Sequence, residues 1–83
     1  MTETKILFKS SVEKDFKQME HQHRKRIVKK IIKTLSNDPY AGKKLKGKYS
    51  GLFRIRIGEY RVRYTIKKDT VVIAKVGTRQ SFY

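Results

Sequence analysis

The chain has 83 residues, no cysteine, and a formal net charge of +15 that comes from 22 Lys and Arg against 7 Asp and Glu. This length predicts a single domain over residues 1–83, with room for one sheet and two helices. The composition excludes disulfides and thiolate catalysis, and two histidines without a neighbouring acidic cluster make a poor metal site, so we expect no metal and no other cofactor.

The positive charge indicates a polyanionic partner, which can be a nucleic acid or an acidic protein. The basic residues are spread along the chain instead of forming one polybasic segment, which argues against a membrane-surface role. No stretch approaches the roughly 18 apolar residues of a membrane span, and residues 1–8 lack the apolar run of a signal peptide. We therefore expect a cytoplasmic protein with no membrane partner.

The N-terminal part predicts a short strand and then a helix. Residues 5–8 (KILF) have the composition of a strand. Ser10 and Glu13 fit a capping box, in which a hydroxyl and a carboxylate accept hydrogen bonds from amides at a helix start. The apolar residues that follow at helical spacing are Val12, Phe16 and Met19.

A second helical stretch is predicted after the polar segment 20–24, either as the second arm of a helical hairpin or as the continuation of one broken helix. Its apolar stripe consists of Ile27, Val28, Ile31, Ile32 and Leu35. Pro39 predicts the end of the helix, because the residue before a proline is disfavoured in helical geometry. We interpret His21 and His23 as surface residues at the interhelical turn with no chemical role.

From Lys44 onward the apolar residues alternate with polar ones, which is typical of strands. Gly58 and Glu59 suit a type II′ hairpin turn, residues 71–76 predict a buried strand, and one more short strand is possible within residues 44–49. The order of elements predicts an α+β fold with two N-terminal helices packed on a twisted, mainly antiparallel four- to five-stranded sheet.

This turn would pair Arg56 with Arg61 and Arg54 with Arg63, so that four arginines share one sheet face. Directly opposed like charges destabilise a strand pair, and a bound anion would relieve this repulsion. Arginine suits phosphate because its planar guanidinium donates two parallel hydrogen bonds and can stack on a base. An ordinary solvated face remains the alternative interpretation.

The C-terminal segment adds a fifth arginine, Arg79, and a terminal phenol, Tyr83, just after the last predicted strand. A strand end can direct both groups toward the arginine face. Alternatively, the terminal aromatic ring packs on the sheet or lies in solvent.

Three motifs are similar to those of RelE toxins, in the RelE/ParE superfamily of type II toxin–antitoxin systems. They are the segments Leu45-Lys46-Gly47, Leu52 to Tyr64 (LFRIRIGEYRVRY), and Val76-Gly77-Thr78-Arg79 with Tyr83. The resemblance covers essentially the whole chain, and it implies a RelE-like fold. It also implies a ribosome-dependent endoribonuclease that cuts mRNA in the A site when a 2′-hydroxyl attacks the adjacent phosphate.

By matching position, the resemblance implies that Arg54 and Arg56 hold the scissile phosphate. Arg61 would stabilise the charge of the transition state, Arg79 would support the leaving 5′-oxygen, and Tyr83 would stack on or orient the nucleotide.

The resemblance also implies RNA contacts by four further basic residues, and partners in the cell. The RNA-binding set is Lys44, Lys46, Lys48 and Arg63. The implied partners are the ribosome, mRNA and an acidic, RelB-like antitoxin. Two alternatives remain open: a ParE-like inhibitor of DNA gyrase, and a catalytically degenerate toxin held in an antitoxin complex.

Overall fold

The computed structural model describes residues 4–78, which form five strands and two helices. In chain order these are β1 (Lys5–Phe8), α1 (Ser10–Lys17), α2 (His21–Asn37), β2 (Lys43–Lys44), β3 (Leu52–Ile57), β4 (Tyr60–Lys67) and β5 (Thr70–Thr78). A 3₁₀ turn, Gly47–Tyr49, lies between β2 and β3. The sheet order is β1-β5-β4-β3-β2, with β1 parallel to β5 and every other pair antiparallel. The predicted α+β fold is confirmed. The additional short strand exists as β2, but its predicted position within residues 44–49 is wrong except at Lys44, because the positive φ of Gly47 starts a 3₁₀ turn over Gly47–Tyr49.

The core lies between the two helices and one face of the sheet. Its helical members are Val12, Phe16, Ile27, Ile31 and Leu35. Its strand members are Phe53, Ile57, Val62, Tyr64, Val71, Ile73 and Val76. The predicted apolar stripe of α2 is wrong at Ile32, which is 44% exposed because it lies about 100° around the helix from buried Ile31. Within residues 4–78, no helix is long and apolar enough to span a membrane.

The predicted capping box at the start of α1 is wrong. The N-cap residue is Lys9, with no side-chain cap, so Ser10 is already the first helical residue. The reason is strand pairing: the backbone N–H of Lys9 donates to the carbonyl of Ile73 in β5 at 3.0 Å, which keeps the chain extended for one residue beyond β1. The Ser10 hydroxyl therefore lies beyond the position from which a cap accepts amide hydrogens.

The helices are separate, with the break at residues 18–20. His21 and His23 were predicted in the interhelical turn, but they lie in the first turn of α2. Both are exposed, as predicted. At the other end, the N–H of Asp38 donates to the carbonyl of Thr34 at 3.0 Å, and Pro39 follows, as predicted.

Tyr64 connects the end of α2 to the sheet. Its ring stacks on Phe53, with 5.3 Å between centroids. Its hydroxyl donates to the carbonyl of Pro39 and accepts from the N–H of Gly42, both at 2.9 Å. A Cβ at Gly42 would lie 2.6 Å from the hydroxyl oxygen, so this approach requires glycine. Burial raises the pKa of the Tyr64 phenol above 10.0, the Gly42 hydrogen bond opposes the increase, and the charge of Asp38 adds to it.

Asp15 protects the part of β5 that lies beyond its pairing with β1. That pairing ends at Ile73, so the outer edge of β5 is free of β1 from there on. The Asp15 carboxylate accepts a hydrogen bond from the N–H of Val76 at 3.2 Å. A charged acceptor on this edge satisfies an amide that no strand pairs, and it fixes α1 against β5.

We expect Tyr64→Phe to lower the free energy of unfolding by about 1–3 kcal/mol at neutral pH, because the Gly42 amide loses its acceptor. The wild type should then lose stability as the pH rises above about 10, since the unfolded chain releases the phenolic proton at a lower pH than the folded chain. Tyr64→Phe has no phenolic proton at this position, so the difference in free energy of unfolding between the two proteins should become smaller above pH 10. Denaturant unfolding from pH 7 to 11 measures this difference. A difference that stays constant above pH 10 would contradict the expectation.

Candidate nucleic-acid interface

The sheet face opposite the helices, called here the open face, carries the arginines of the β3–β4 hairpin. The register pairs Arg56 with Arg61 and Arg54 with Arg63, as predicted. Of the two turn residues only Gly58 has a positive φ, of 60°, which agrees with the predicted type II′ geometry. Because directly paired residues project to the same side, the turn brings four guanidinium groups together on the open face.

Two lysines, not predicted from the sequence, extend this cluster across the sheet. Lys43 of β2 pairs with Arg54, and Lys75 of β5 pairs with Arg63. The complete row, called here the cationic row, is Lys43, Arg54, Arg63 and Lys75. It crosses four adjacent strands, or about 14 Å at the usual strand spacing.

A β-bulge puts Lys75 on the open face. Tyr64 pairs with Ile73, whereas the next pair is Arg63 with Lys75, so Ala74 is an extra residue in β5. Strict alternation would place residue 75 on the same side as buried Ile73. The bulge reverses the alternation, and Val76 is buried instead. Sequence periodicity could not identify Lys75, because the position of a bulge is not visible in the pattern.

A second row on the open face is shorter and ends in a glycine. It consists of Arg56, Arg61 and Gly77. Gly77 lies opposite Arg61 and is itself buried. Arg56 is exposed and Arg61 is half-buried, so an anion can approach the pair from solvent.

Two arginines of the open face, Arg54 and Arg56, each lie opposite another basic residue. No carboxylate of residues 4–78 forms an ion pair with Arg54 or Arg56. A directly opposed like-charge pair disfavours strand pairing by roughly a few tenths of a kcal/mol. The hairpin that carries these arginines also supplies four of the seven strand residues of the core. A phosphate bound between the arginines would remove the repulsion and gain charge-assisted hydrogen bonds.

One guanidinium of the cluster is stacked on an aromatic ring. The Cζ atom of Arg63 lies 4.4 Å from the ring centroid of Tyr49, and Lys48 Nζ lies 5.3 Å from the same centroid. Tyr49 ends the 3₁₀ turn and is 37% exposed. Arg63 and Lys48 are predicted RNA-binding residues, whereas the Tyr49 ring that both contact was not predicted.

The predicted RNA-binding lysines lie in two places. Lys44 pairs with Phe53, so it projects to the helix-covered side at the edge of the sheet and not toward the arginines. Lys46 lies just before the 3₁₀ turn and Lys48 lies within it, and both are exposed. A hydrogen bond of 2.9 Å from the N–H of Leu45 to the carbonyl of Leu52 closes this loop next to β3.

The remaining predicted site residues, Arg79 and Tyr83, lie outside the described residues. Residues 4–78 contain no group of three or more His, Cys, Asp or Glu side chains that could hold a metal ion.

A separate cavity of about 320 Å³ lies on the helix-covered side of the hairpin tip. Its wall includes His23, Arg26 and Lys30 of α2 and Glu59 and Tyr60 of the hairpin. Glu59 places one acidic side chain beside the basic ones here.

Sequence comparison relates the whole chain to known toxins. A family model described as the ParE toxin of the type II toxin–antitoxin system parDE matches residues 6–83. The toxin RelE3 of Methanocaldococcus jannaschii is 36% identical over 85 residues, which cover 95% of this chain and 94% of the relative.

The fold is shared with solved toxin structures. The toxin–antitoxin complex RelBE2 from Mycobacterium tuberculosis contains a chain with a TM-score of 0.86 and 28% identity, with coverage of 94% of this chain and 100% of that chain. The RelB–RelE complex from Methanococcus jannaschii gives a TM-score of 0.72 and 35% identity, with coverage of 93% and 94%. The isolated RelE toxin of E. coli has a TM-score of 0.69 at 22% identity and 90% and 83% coverage, which shows a common fold only.

The match to the family model extends over nearly the whole chain, and the relative from M. jannaschii aligns over almost its full length. The two-helix, five-stranded architecture agrees with the solved toxin structures from M. tuberculosis and M. jannaschii. The chain therefore belongs to the RelE/ParE family of toxins from type II toxin–antitoxin systems.

Proposed function

We propose that this toxin is an endoribonuclease that binds in the ribosomal A site and cleaves mRNA, and so inhibits translation in the cytoplasm. The observation that supports it most is the convergence of Arg54, Arg56 and Arg61 on the open face, where Arg56 is exposed to solvent. Membership of the RelE/ParE family supports the same activity through the resemblance of the hairpin sequence to RelE toxins.

The proposed reaction uses a nucleophile that belongs to the substrate. The 2′-hydroxyl of one nucleotide attacks the adjacent phosphorus, the bond to the 5′-oxygen breaks, and the products are a 2′,3′-cyclic phosphate and a 5′-hydroxyl. This internal transesterification needs no cofactor. The chain would contribute positioning of the phosphate and positive charge where negative charge develops.

Each arginine has a proposed role that fits its position. Arg54 and Arg56 alternate along β3 and would hold the non-bridging oxygens of the scissile phosphate. Arg61, opposite Arg56, would stabilise the charge of the transition state. Arg79 would support the leaving oxygen, and Tyr83 would orient the nucleotide, as the resemblance implies.

Proton transfer cannot depend on the hairpin arginines, because arginine is permanently charged and has no acceptor. Removal of the 2′-hydroxyl proton would therefore fall to Tyr83 or to groups of the ribosome. This gives a physical reason for dependence on the ribosome: the chain supplies electrostatic stabilisation, and the ribosome supplies substrate alignment and a proton acceptor.

Ribosomal RNA would be bound mainly through charge. Lys46 and Lys48 are exposed on the loop beside β3, and Lys44 lies at the sheet edge next to them. Contacts of lysine with phosphates release counterions, so binding to the ribosome should weaken steeply with increasing salt.

The proposed partner of the free toxin is an acidic, RelB-like antitoxin. The relatives from M. tuberculosis and M. jannaschii were crystallised as toxin–antitoxin complexes. The charge of +15 favours an acidic partner. The open face also offers apolar contacts next to the arginines, since the row formed by Leu52, Thr65, Val72 and Leu7 crosses the same side of the sheet, and Leu7 is 56% exposed.

Inhibition of DNA gyrase is the second candidate function, because the family model that matches residues 6–83 is that of the ParE toxin. In that case the arginine cluster would bind a protein or DNA and would not catalyse a reaction. Gyrase supercoiling and cleavage assays distinguish the two functions. A chain that is inactive in both assays would be a non-catalytic module held in an antitoxin complex.

We expect Arg61→Gln to reduce cleavage of translated mRNA by about 100-fold or more, because one preorganised donor to the transition state is lost. Arg56→Lys should retain more activity than Arg56→Gln, since it keeps the charge but not the planar fork. Primer extension on an mRNA in a purified translation system measures both.

The matched control is Lys33→Gln, which removes the same charge from an exposed position of α2 on the other side of the molecule. It should cleave like the wild type. Reactions without ribosomes should give no cuts. Equal cleavage by Arg61→Gln and Lys33→Gln would contradict the proposed site, and no cleavage by folded wild-type protein would contradict the function.

We expect the chain, when isolated from its native host at low salt, to be bound to an acidic protein that inhibits its cleavage of mRNA. Charge reversal by Arg56→Glu should reduce the amount of bound partner, because Arg56 lies on the open face. Lys33→Glu should not reduce it, because Lys33 lies on α2, on the other side of the sheet. Affinity purification followed by mass spectrometry and the cleavage assay tests this. Isolation of the chain alone, or equal capture by both variants, would contradict the proposed antitoxin surface.

A further inference from the structure

The stack of Tyr49 and Arg63 has no role in the reaction described above. The two side chains come from different parts of the chain: Tyr49 ends the 3₁₀ turn, and Arg63 lies in the middle of β4. Their contact, 4.4 Å from guanidinium carbon to ring centroid, places the ring on the open face, because Arg63 pairs with Arg54 on that face.

The loop that carries Tyr49 is held against the sheet on both sides. Before the turn, the N–H of Leu45 donates to the carbonyl of Leu52 at 2.9 Å. After it, the Thr65 hydroxyl donates to the carbonyl of Gly51 at 2.9 Å. Gly47 and Gly51 have positive φ values of 68° and 92°, which glycine adopts without strain. The ring is therefore presented by a loop that is fixed next to the hairpin.

The stack lies directly beside a proposed phosphate-binding arginine, because Arg63 pairs with Arg54. Arg63 belongs to the cationic row, which crosses the sheet over about 14 Å. A single strand that lies along this row can place more than one phosphate on it. A flat aromatic and guanidinium surface beside such a row is a common way to bind unpaired bases.

We propose that Tyr49, stacked on Arg63, forms a binding site for a nucleobase of single-stranded RNA, next to the phosphate contacts of the cationic row. The inference rests on the proposed RNA function. Tyr49 is 37% exposed, so its ring can accept a base on the area that Arg63 and Lys48 do not cover. The guanidinium would in addition favour the base through its own planar face.

The same contact also fits a purely structural role, in which the ring only holds Arg63 in place among like charges. The two roles differ in their dependence on the base. If Tyr49 only positions Arg63, removing the ring should weaken binding of any RNA backbone. If it binds a base, the loss should disappear with an oligonucleotide that has no bases.

The experiment measures equilibrium binding of the full chain to dye-labelled 2′-O-methyl oligoadenylate of about ten nucleotides, by fluorescence anisotropy without ribosomes. This RNA has no 2′-hydroxyl that could attack a phosphate. The comparison ligand is an abasic oligonucleotide of the same length and charge. We expect Tyr49→Leu to raise the Kd for oligoadenylate at least about fivefold and to leave the Kd for the abasic ligand within about twofold.

Two control variants make this result specific. Tyr49→Phe keeps the ring and should bind both ligands within about twofold of the wild type. Tyr40→Leu removes a tyrosine that is 65% exposed but packs edge-on against Phe53, on the helix-covered side, and should also bind like the wild type. Circular dichroism establishes that each variant is folded.

The inference is overturned if Tyr49→Leu weakens both ligands equally, if it weakens neither, or if the wild type does not prefer oligoadenylate over the abasic ligand. These outcomes are separate from the cleavage assay. Cleavage of translated mRNA without base-dependent binding would support the proposed function and reject the Tyr49 site. Base-dependent binding without cleavage would support the Tyr49 site and reject the endoribonuclease.

Discussion

The register of the β3–β4 hairpin is the constraint on which the rest of the structure depends. A two-residue turn at Gly58 and Glu59 fixes which side chains are opposed, and one step of slippage would exchange the two faces. In the observed register, Val62 and Tyr64 are completely buried while the arginines face away from the core. The burial of apolar side chains on one face thus fixes the register that places the positive charges close together on the other face.

The same hairpin connects the remaining parts of the molecule. On the core side, the hydroxyl of Tyr64 holds the loop after α2, and that loop leads to β2 and Lys43. On the open side, Arg63 contacts the turn between β2 and β3 through Tyr49. The loop residues near the arginines are therefore positioned by contacts to both faces of β4. This explains how a small chain can present an extended basic surface with a defined geometry.

Sequence periodicity predicted the hairpin, the two helices and the four clustered arginines, because short-range alternation and turn residues determine them directly. Lys75 was not found, since its orientation depends on a bulge at Ala74 that the pattern does not reveal. The capping box at Ser10 failed because a long-range hydrogen bond from Lys9 to β5 takes precedence over local capping preference. The Tyr49 contact requires tertiary structure, as its two partners are distant in sequence.

The central claim is that the sheet register places like charges directly opposite one another on the open face, as it does where Lys43 pairs with Arg54. A double-mutant cycle between Lys43→Thr and Arg54→Thr, measured by denaturant unfolding of the free chain, tests it most directly. We predict that the coupling between the two wild-type side chains is unfavourable by about a few tenths of a kcal/mol at low salt and decreases toward zero at 1 M salt. A favourable coupling at low salt, or one that salt does not change, would contradict it.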